Sequence, residues 1–413
     1  MTNIPTTSLQ KALREHVTPG DRVLLGTGAG VPRTMLRALA EQPERWAGIR
    51  LLGGMQLGEY DFLAPVKAGL WTFDSWQVMP PIRAAVEAGT VGLIPCRGAL
   101  VPELIESLRP DVFLTTVSPP DHDGTVSLGA SVSYALQAAG IAPRTVAAVN
   151  PEMPRVHGNT RLDARRLTAL VIDDGPLPSH EPPAPDATAR EIARHVALLL
   201  DENVTLQIGL GSVPEALVDI LAEDPPGGLR VFGMGIEGMI PLLEAATSEA
   251  VFVGGELLGT SRLYRFAHEN RAIHNYPISE FMRVPDLAAI SRFVSLNGAI
   301  QVDVTGQVNS EWIGGRHVSA PGGAFDFVDG ANFSRGGLSI IALRSTARGG
   351  QLSTIVPSLE KGAPVTIPRH AVEVVVTEYG IADLRGRTLR QRAAALASVA
   401  HPAFREGLAA TAT

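Results

Sequence analysis

One sequence unit occurs twice in this chain, and the repeat limits the folds open to it. Residues 22–41 and 203–223 each contain an apolar strand, a Gly-x-Gly turn, a Val-Pro step and a helix with apolar residues at three- and four-residue spacing. The glycines allow the backbone to approach a ligand closely, and a helix N-terminus presents free N–H groups to an anion. A repeat of this size predicts two domains of similar topology that face each other across a cleft.

Composition places the chain among α/β proteins with many loops. Its 413 residues are too many for one hydrophobic core and are typical of two domains. Hydrophobic residues make up 45% of the chain, which also contains 42 glycines and 31 prolines. Apolar, β-branched runs without polar alternation predict strands buried on both faces. We therefore expect two tandem open α/β domains, with mostly parallel sheets flanked by helices.

A proline-rich stretch, residues 174–187, marks the expected domain boundary. Such a segment cannot continue a helix or a central strand and acts as a stiff spacer. We predict an N-terminal domain over residues 1–175, a linker over 176–187 and a C-terminal domain over 188–413. The expected strands are Val23–Leu25, Val112–Thr116, Thr145–Val149, Leu167–Ile172, Phe293–Leu296, Leu338–Leu343, Pro364–Ile367 and Val372–Thr377. Helices are expected from about Thr188 to Leu200, and as a pair between Thr388 and Leu408.

Charge and cysteine content exclude several classes of protein. The formal net charge of −7 provides no positive field that would attract nucleic acid or an anionic membrane. The single cysteine, Cys96, cannot form an intrachain disulfide, which suits a reducing cytosol. The chain lacks both a signal-peptide pattern and an apolar run of about 18 residues, and its His, Cys, Asp and Glu residues lack metal-ligand spacing. We expect a cytoplasmic protein with no bound metal.

The block 297–337 combines glycine-rich turns with alternating polar residues. Gly322-Gly323 can expose backbone N–H groups to a bound carbonyl or phosphate, or can simply form a tight turn between strands. Asn297, Gln301 and Asp303 alternate with apolar residues, as polar positions on one face of a strand do. For Asp303 an internal hydrogen-bond network is the favoured interpretation.

Five motifs follow one another along nearly the whole chain. They occupy residues 117–124, 209–214, 322–331, 376–386 and 400–405. In their order and in their residues, these motifs resemble those of the acetyl-CoA hydrolase/transferase family, and of its 4-hydroxybutyrate CoA-transferases in particular. The resemblance implies two open α/β domains of the CoA-transferase type, with acyl-CoA bound at their interface.

The resemblance also implies which residues contact coenzyme A. In the family these are the Gly-x-Gly-x-x turn, the residue before the glutamine of an Asn-x-x-x-Gln strand, and a glycine of the later loop. A thioester carbonyl and pantetheine amides need backbone partners at close approach, which agrees with these positions. The matching CoA-binding residues here are Gly209, Leu210, Gly211, Ser212, Val213, Ile300, Gly322 and Gly323.

The chain departs from the family pattern at the nucleophile. Family transferases use a glutamate in a short stretch after the second glycine turn, and it carries CoA as a glutamyl thioester. Aligning Glu237-Gly238 with the family's Asp-Gly places Gly233 at the glutamate position, and moving the gap by one residue places Met234 there. Neither residue can act as a nucleophile or a base.

Two nearby carboxylates are the remaining catalytic candidates. Glu237 lies downstream of the expected position, where an acid at a helix start is the alternative interpretation. Glu256 interrupts an apolar strand. It is either turned outward at a strand end or buried with a raised pKa, as a general base would be.

The sequence therefore predicts an enzyme that acts on the thioester of a short or small carboxylic acyl-CoA, as a CoA-transferase or an acyl-CoA hydrolase. The usual glutamyl-CoA intermediate is not expected at its family position. The alternative hypothesis is a CoA-transferase-like protein that binds acyl-CoA without thioester transfer. We expect coenzyme A or acyl-CoA as substrate with no tightly bound cofactor, a carboxylic acid as second substrate, and a homodimer.

Overall fold

A computed structural model of the chain describes residues 6–182, 184–245 and 251–410. The internal contacts of these residues divide them into two compact units. The first unit contains residues 6–181 and 251–281, and the second contains residues 182, 184–245 and 282–410.

The segment 251–281 packs with the first unit although it follows part of the second in sequence. Its strand Phe252–Leu258 is tied to the first unit by backbone bonds, such as Leu257 N to Ala130 O at 2.7 Å and Val132 N to Gly255 O at 3.0 Å. The predicted C-terminal domain over 188–413 is continuous, whereas these contacts interrupt it. Hydrogen bonds between distant segments leave no local signal in a sequence, so the interruption was not foreseen.

Within its described residues, the first unit contains a sheet of seven parallel strands. In spatial order these are Ala169–Ile172, Arg144–Val149, Val112–Val117, Arg22–Leu25, Arg50–Gly53, Thr72–Ser75 and Gly92–Leu93. The central strands are buried at nearly every residue, because helices and their apolar side chains cover both faces. The strand order reverses between Arg22–Leu25 and Val112–Val117, and such a switch point opens a crevice at the carboxyl ends of the strands.

The first unit also contains a parallel set, Phe252–Leu258, Ile273–Asn275 and His157–Gly158, and an antiparallel pair, Thr125–Ser127 with Arg161–Asp163. Its α-helices are Leu9–His16, Arg33–Ala40, Leu63–Lys67, Arg83–Glu87, Val101–Leu108, Ala135–Ile141, Ser261–Ala267 and Ile278–Phe281.

The second unit repeats the switch-point arrangement. Its main strands run in the order Gly380–Asp383, Val374–Thr377, Leu338–Ala342, Phe293–Gly298, Thr205–Ile208 and Arg230–Ile236. All neighbours in this order are parallel except the first pair. The strand order reverses between Thr205–Ile208 and its neighbour Phe293–Gly298. The first of these strands, Thr205–Ile208, directly precedes the second glycine turn. The second copy of the repeat therefore also stands at a switch point.

Helices of the second unit cover this sheet and continue into its C-terminal part. They are Ala187–Ala197, Ser212–Glu223, Ile240–Glu244, Val284–Ala289, Ala324–Phe333, Leu389–Val399 and Arg405–Ala410. Small strands complete the unit: Gln301–Asp303, Val308–Asn309 and Ile355–Val356 in one group, and the hairpins Trp312–Ile313 with Arg316–His317 and Thr346–Ala347 with Leu352–Ser353. In the described part of the chain, no helix has the length and apolar character needed to cross a bilayer.

The predicted fold class is confirmed, since mostly parallel sheets are flanked by helices. One predicted strand, Pro364–Ile367, is wrong: Ile367 forms only an isolated antiparallel bridge with Val308. Pro364 begins the segment and Pro368 follows it, and a proline has no N–H to extend a ladder. The predicted linker, residues 176–187, follows the strand Ala169–Ile172 and ends at Ala187, the first residue of the helix Ala187–Ala197. Its other described residues form neither helix nor strand.

Candidate functional site

A cavity of about 640 Å³ opens at the carboxyl ends of the strands of the second unit. Its walls come from the segments that follow three neighbouring strands, Thr205–Ile208, Phe293–Gly298 and Leu338–Ala342. Loops after parallel strands at a switch point form the usual ligand site of this architecture. The cavity volume is in the range of small-molecule sites.

The second glycine turn forms one wall of this cavity. Gly209, Leu210, Gly211, Ser212 and Val213 all line it. Gly211 has φ +137°, a backbone conformation that favours glycine, and it directly precedes the helix Ser212–Glu223. The N–H groups in the first turn of this helix have no carbonyl acceptor within the helix, so they are available to an anion.

Ile300 and Gly323, both from the block 297–337, also line this cavity. A Cβ on Gly323 would overlap the Met282 methyl group and lie 3.0 Å from the Phe327 ring, so glycine also permits close helix packing here. Gly322 is not among the described residues that line the cavity. Its φ of +53° shapes the turn before the helix Ala324–Phe333. The structure thus brings seven of the eight predicted CoA-binding residues to one cavity.

Two of the alternating polar residues in the block 297–337, Asn297 and Asp303, lie in different surroundings. Asn297 lines the cavity, and its Nδ2 donates to Oε1 of Gln207 at 3.1 Å. Asp303 is only 2% exposed and accepts bonds from Thr305 Oγ1 at 2.6 Å and from Gln307 Nε2 at 2.7 Å. Asp303 therefore belongs to an internal network, as the favoured interpretation of the sequence has it.

Arg344 is a cavity residue that the sequence analysis missed. It follows the strand Leu338–Ala342 by two positions, and its guanidinium is bidentate with Asp186 at 2.7 and 2.9 Å. The same guanidinium lies 3.4 Å from Ser212 Oγ in the glycine turn. The pairing with Arg344 lowers the pKa of Asp186. The available signal was its position just beyond the carboxyl end of a predicted strand.

Glu378 anchors the loop that carries Arg344. Its carboxylate accepts bonds from the backbone N of Ser345 at 2.9 Å and from Ser345 Oγ at 2.6 Å. Thr354, which also lines the cavity, donates its hydroxyl to the Arg344 carbonyl at 2.5 Å. The motif at 376–386 thus holds the cavity wall in place rather than entering the cavity.

In the first unit, Glu256 is the notable buried acid. It lies in the strand Phe252–Leu258, is 8% exposed, and forms an antiparallel bridge with Ser131. Burial raises its pKa to about 8. Neither carboxylate oxygen completes a hydrogen bond within the described residues. Of the two interpretations left open by the sequence, the structure shows the buried one.

The Glu256 carboxyl group lies against the first glycine turn. A Cβ on Gly28 would overlap Oε2 of Glu256 and lie 2.5 Å from Ser131 Oγ. Ser131 Oγ in turn accepts a bond from the backbone N of Ala29 at 2.8 Å. The first copy of the repeat, at the switch point of its own sheet, therefore borders a buried carboxyl group.

Comparison with known proteins decides the family. Models of the acetyl-CoA hydrolase/transferase N-terminal and C-terminal domains match residues 8–177 and 259–412. The chain is 34% identical to the 4-hydroxybutyrate coenzyme A transferase of Clostridium kluyveri over 397 residues, covering 94% of this chain and 92% of the relative. The chain belongs to the acetyl-CoA hydrolase/transferase family.

Two further similarities cover nearly as much of each protein. The chain is 33% identical to the succinyl-CoA:cyclohexane-1-carboxylate CoA transferase of Geobacter metallireducens, over 94% of this chain and 91% of the relative. Among solved structures, RipA from Yersinia pestis superposes with a TM-score of 0.91 at 28% identity, covering 98% of this chain and 96% of RipA. The fold of this chain is thus similar to that of RipA over nearly the whole length of both proteins.

Gly233, one of the two residues that the sequence analysis matched to the family glutamate, has no room for a side chain. Gly233 lies in the strand Arg230–Ile236 with φ +102°, and a Cβ there would be 2.7 Å from the carbonyl oxygen of Ile208. Met234, the next residue, lines the cavity and is half-buried. Neither of the two residues matched to the family glutamate therefore brings a carboxylate to this cavity.

Glu237 begins a short 3₁₀ turn, Glu237–Met239, and is half-buried. It is not among the described residues that line the cavity. Beneath this turn lies Glu215, an acid that the sequence analysis did not single out. Its Oε2 accepts a bond from Gly238 N at 3.1 Å, and burial raises its pKa to about 7, with the charges of Asp219 and Glu237 adding to the rise.

Proposed function

We propose that this protein binds coenzyme A or a short acyl-CoA in the cavity of the second unit and acts on the thioester, with water or a carboxylic acid as the acceptor. One observation carries the proposal: seven residues chosen from sequence motifs, in segments up to 114 positions apart between Gly209 and Gly323, line a single cavity. Membership of the acetyl-CoA hydrolase/transferase family supports the reaction class.

The cavity offers the contacts that such a ligand requires. The turn from Gly209 to Gly211 exposes backbone at the start of a helix, where an anion is favoured. Arg344 supplies a cation at the same wall and is oriented by Asp186. Phosphate groups of CoA are the natural partners of a helix N-terminus and a guanidinium. The apolar residues Leu210, Met234 and Ile300 suit the pantetheine arm.

We also propose that no glutamyl-CoA thioester forms at the usual family position. Gly233 has neither a carboxylate nor space for one, and Met234 has no group that can attack a thioester. Glu237 is the one carboxylate in residues 229–239. It would have to reach the cavity from the 3₁₀ turn that follows the strand.

Glu256 is our proposed general base; it belongs to the first unit and is not among the described residues that line the candidate CoA cavity. With a pKa near 8, a small fraction of it is ionised at pH 7, and the ionised form is a stronger base than an ordinary carboxylate. It would take a proton from water as the water oxygen attacks the thioester carbonyl carbon. The carbon–sulfur bond then breaks, and the departing CoA thiolate takes up the proton from Glu256.

The first experiment measures binding and turnover together. The protein is incubated with a panel of short acyl-CoAs, and free thiol is followed with and without added carboxylic acids. We expect thiol release by hydrolysis, or exchange of CoA between two acids. Turnover without thiol release would indicate transfer. Binding without turnover would favour the alternative, a protein that binds acyl-CoA, and absence of CoA binding in calorimetry would remove the proposal.

The second experiment tests the nucleophile. Borohydride or hydroxylamine trapping after acyl-CoA incubation is followed by peptide mass spectrometry. We expect no modified residue within 229–239. Modification of Glu237 would restore the family mechanism with a displaced nucleophile, and modification of Glu256 would show covalent catalysis in place of general-base catalysis.

A further inference from the structure

The second unit contains another cavity, of about 670 Å³, at the opposite edge of its sheet. Val204 and Arg292 in its lining immediately precede the strands Thr205–Ile208 and Phe293–Gly298, whereas the candidate CoA cavity lies after the same strands. These strands are parallel, so the two cavities open at opposite ends of the sheet. The second cavity is therefore not part of the proposed CoA site.

Three arginines from separate parts of the chain line this cavity. They are Arg292, Arg335 and Arg385, and the acidic residue among the lining residues is Asp201. This concave surface thus carries three guanidinium groups and one carboxylate, although the net charge of the chain is −7. We call these three residues the arginine cluster.

Internal carboxylates do not neutralise the whole cluster. Arg385 is paired with Asp383, with Nε at 3.0 Å and Nη2 at 2.8 Å from its oxygens. Arg292 donates Nη1 to the backbone carbonyl of Glu202 at 3.1 Å, so its charge is not cancelled by that bond. Within the described residues, the side chain of Arg335 has no hydrogen-bond or ion-pair partner. Two guanidinium groups are thus available to a ligand.

The backbone fixes two of these arginines relative to each other. Arg292 N donates to the carbonyl oxygen of Arg335 at 2.9 Å, and the Arg292 carbonyl accepts from Thr205 N at 3.1 Å. Arg292 has φ +55°, a left-handed conformation that costs free energy for a side-chain-bearing residue, and Gly336 next to Arg335 has φ +74°. Hydrogen bonds therefore fix the backbone of Arg292 and Arg335 relative to each other, next to the ends of the strands.

We propose that the arginine cluster binds a polyphosphate chain, either as free inorganic polyphosphate or as part of a nucleotide. A guanidinium group can donate two parallel hydrogen bonds to phosphate oxygens. Such charge-assisted hydrogen bonds are stronger than those between neutral groups. Adjacent phosphates can engage Arg292 and Arg335 together, and Ser291, which also lines the cavity, adds a hydroxyl donor. Leu199, which is half-buried, provides an apolar surface beside the cluster that a nucleoside could use.

The test uses isothermal calorimetry on the full-length protein with sodium pyrophosphate and, separately, ATP as probes. The variants are Arg335→Gln and Arg335→Lys, and the matched control is Arg390→Gln, an exposed arginine that does not line the cavity. Arg344→Gln serves as the control for the candidate CoA cavity. Thermal unfolding of each variant shows that the fold is retained.

We expect the parent to bind at least one probe with one site per chain. Arg335→Gln should weaken this binding roughly tenfold or more, because a charged phosphate contact is lost, and Arg335→Lys should recover only part of it. Arg390→Gln should bind like the parent, and Arg344→Gln should keep the binding that Arg335→Gln loses. Binding of pyrophosphate and ATP with equal affinity assigns the site to the phosphate chain, and tighter binding of ATP assigns it to a nucleotide.

Three results would overturn the proposal. The first is no heat of binding for either probe at millimolar concentration. In the second, Arg335→Gln and Arg390→Gln weaken binding equally, so that the effect is general electrostatics. The third is loss of binding in Arg344→Gln with retention in Arg335→Gln, which would place the probe in the candidate CoA cavity. None of these results depends on thioester chemistry, so failure here is distinct from failure of the proposed function.

Discussion

The carboxyl group of Glu256 lies directly against the α-carbon of Gly28, so closely that a Cβ at position 28 would overlap Oε2. Gly28 belongs to the first copy of the repeated glycine turn, and Glu256 comes from a strand more than two hundred positions later. The absence of a side chain at Gly28 leaves the space that the carboxyl group occupies. Glycine at position 28 therefore provides the space for a buried acid whose pKa is raised.

Substituting Gly28 should show this relationship in a stability measurement. Gly28→Ala introduces a Cβ that overlaps both Glu256 and Ser131, at a φ of +55° that already disfavours alanine. Gly20→Ala is the matched control, because Gly20 also has a positive φ, +82°, but no atom lies within 4 Å of its added Cβ. We expect Gly20→Ala to cost about 1 kcal/mol of unfolding free energy and Gly28→Ala about 1–3 kcal/mol more. Equal losses in urea denaturation would contradict the packing described.

Removing the charge of Glu256 should abolish general-base catalysis. Glu256→Gln is expected to lower turnover by roughly 10²–10⁴ with little change in acyl-CoA affinity. In the parent, the base acts when deprotonated, so the rate should rise with pH through about 8. Steady-state rates between pH 6 and 9 provide the check. Full activity in Glu256→Gln, or a parent profile without this rise, would show that the residue is not the base.

Filling the candidate CoA cavity at Gly209 should weaken ligand binding without straining the fold. A Cβ on Gly209 has no atom within 4 Å, so Gly209→Val places its methyl groups in the cavity rather than in the protein core. We expect the affinity for CoA to fall roughly tenfold or more, because the ligand loses close approach to the backbone. Gly140→Val is the control, since Gly140 also has free space but lies in the first unit. Gly323 is unsuitable, because a side chain there also meets Met282 and Phe327. Calorimetry with unchanged affinity in Gly209→Val would exclude this cavity.

The buried acids should make the protein less stable as pH rises. Burial raises the pKa of Glu215 to about 7 and that of Glu256 to about 8, whereas both titrate near 4.5 when unfolded. The folded state therefore binds more protons than the unfolded state across this interval, and the unfolding free energy decreases as pH increases. Melting temperatures between pH 5 and 8.5 measure the slope.

Glutamine substitution separates the two contributions. Glu215→Gln should flatten the melting-temperature profile mainly up to about pH 7, and Glu256→Gln up to about pH 8. Glu223→Gln, an exposed acid at the end of the same helix as Glu215, is the control and should leave the slope unchanged. A parent profile that is flat or rises with pH would show that neither acid is buried in its neutral form.

Local sequence patterns were sufficient to predict most of the strands and helices of the fold. The runs Val112–Thr116 and Thr145–Val149 are apolar enough to be strands only if both faces are covered, and the structure places them at the centre of a sheet. The glycine turn from Gly209 to Gly211 was recognisable because a helix pattern follows it directly. The strand prediction for Pro364–Ile367 was wrong because it rested on three β-branched residues, although one proline begins the segment and another follows it.

Long-range contacts account for what was not predicted. Arg344 is unremarkable in sequence, and only the sheet order brings it to Ser212 and Asp186. Glu215 occupies the first turn of a helix, where an acid usually faces solvent and favours the helix dipole. Here Gly238 packs over it and buries it.

The sequence by itself determined the repeated strand–turn–helix unit, the mostly parallel sheets and the residues of the glycine turns, because periodicity and backbone preference are properties of neighbouring residues. Only the tertiary structure decided that Glu256 is buried against Gly28, that the position of Gly233 has no room for a side chain, and that the arginine cluster shares one cavity. Burial, pKa and steric space depend on atoms contributed by distant segments, and these meet only when the chain has folded.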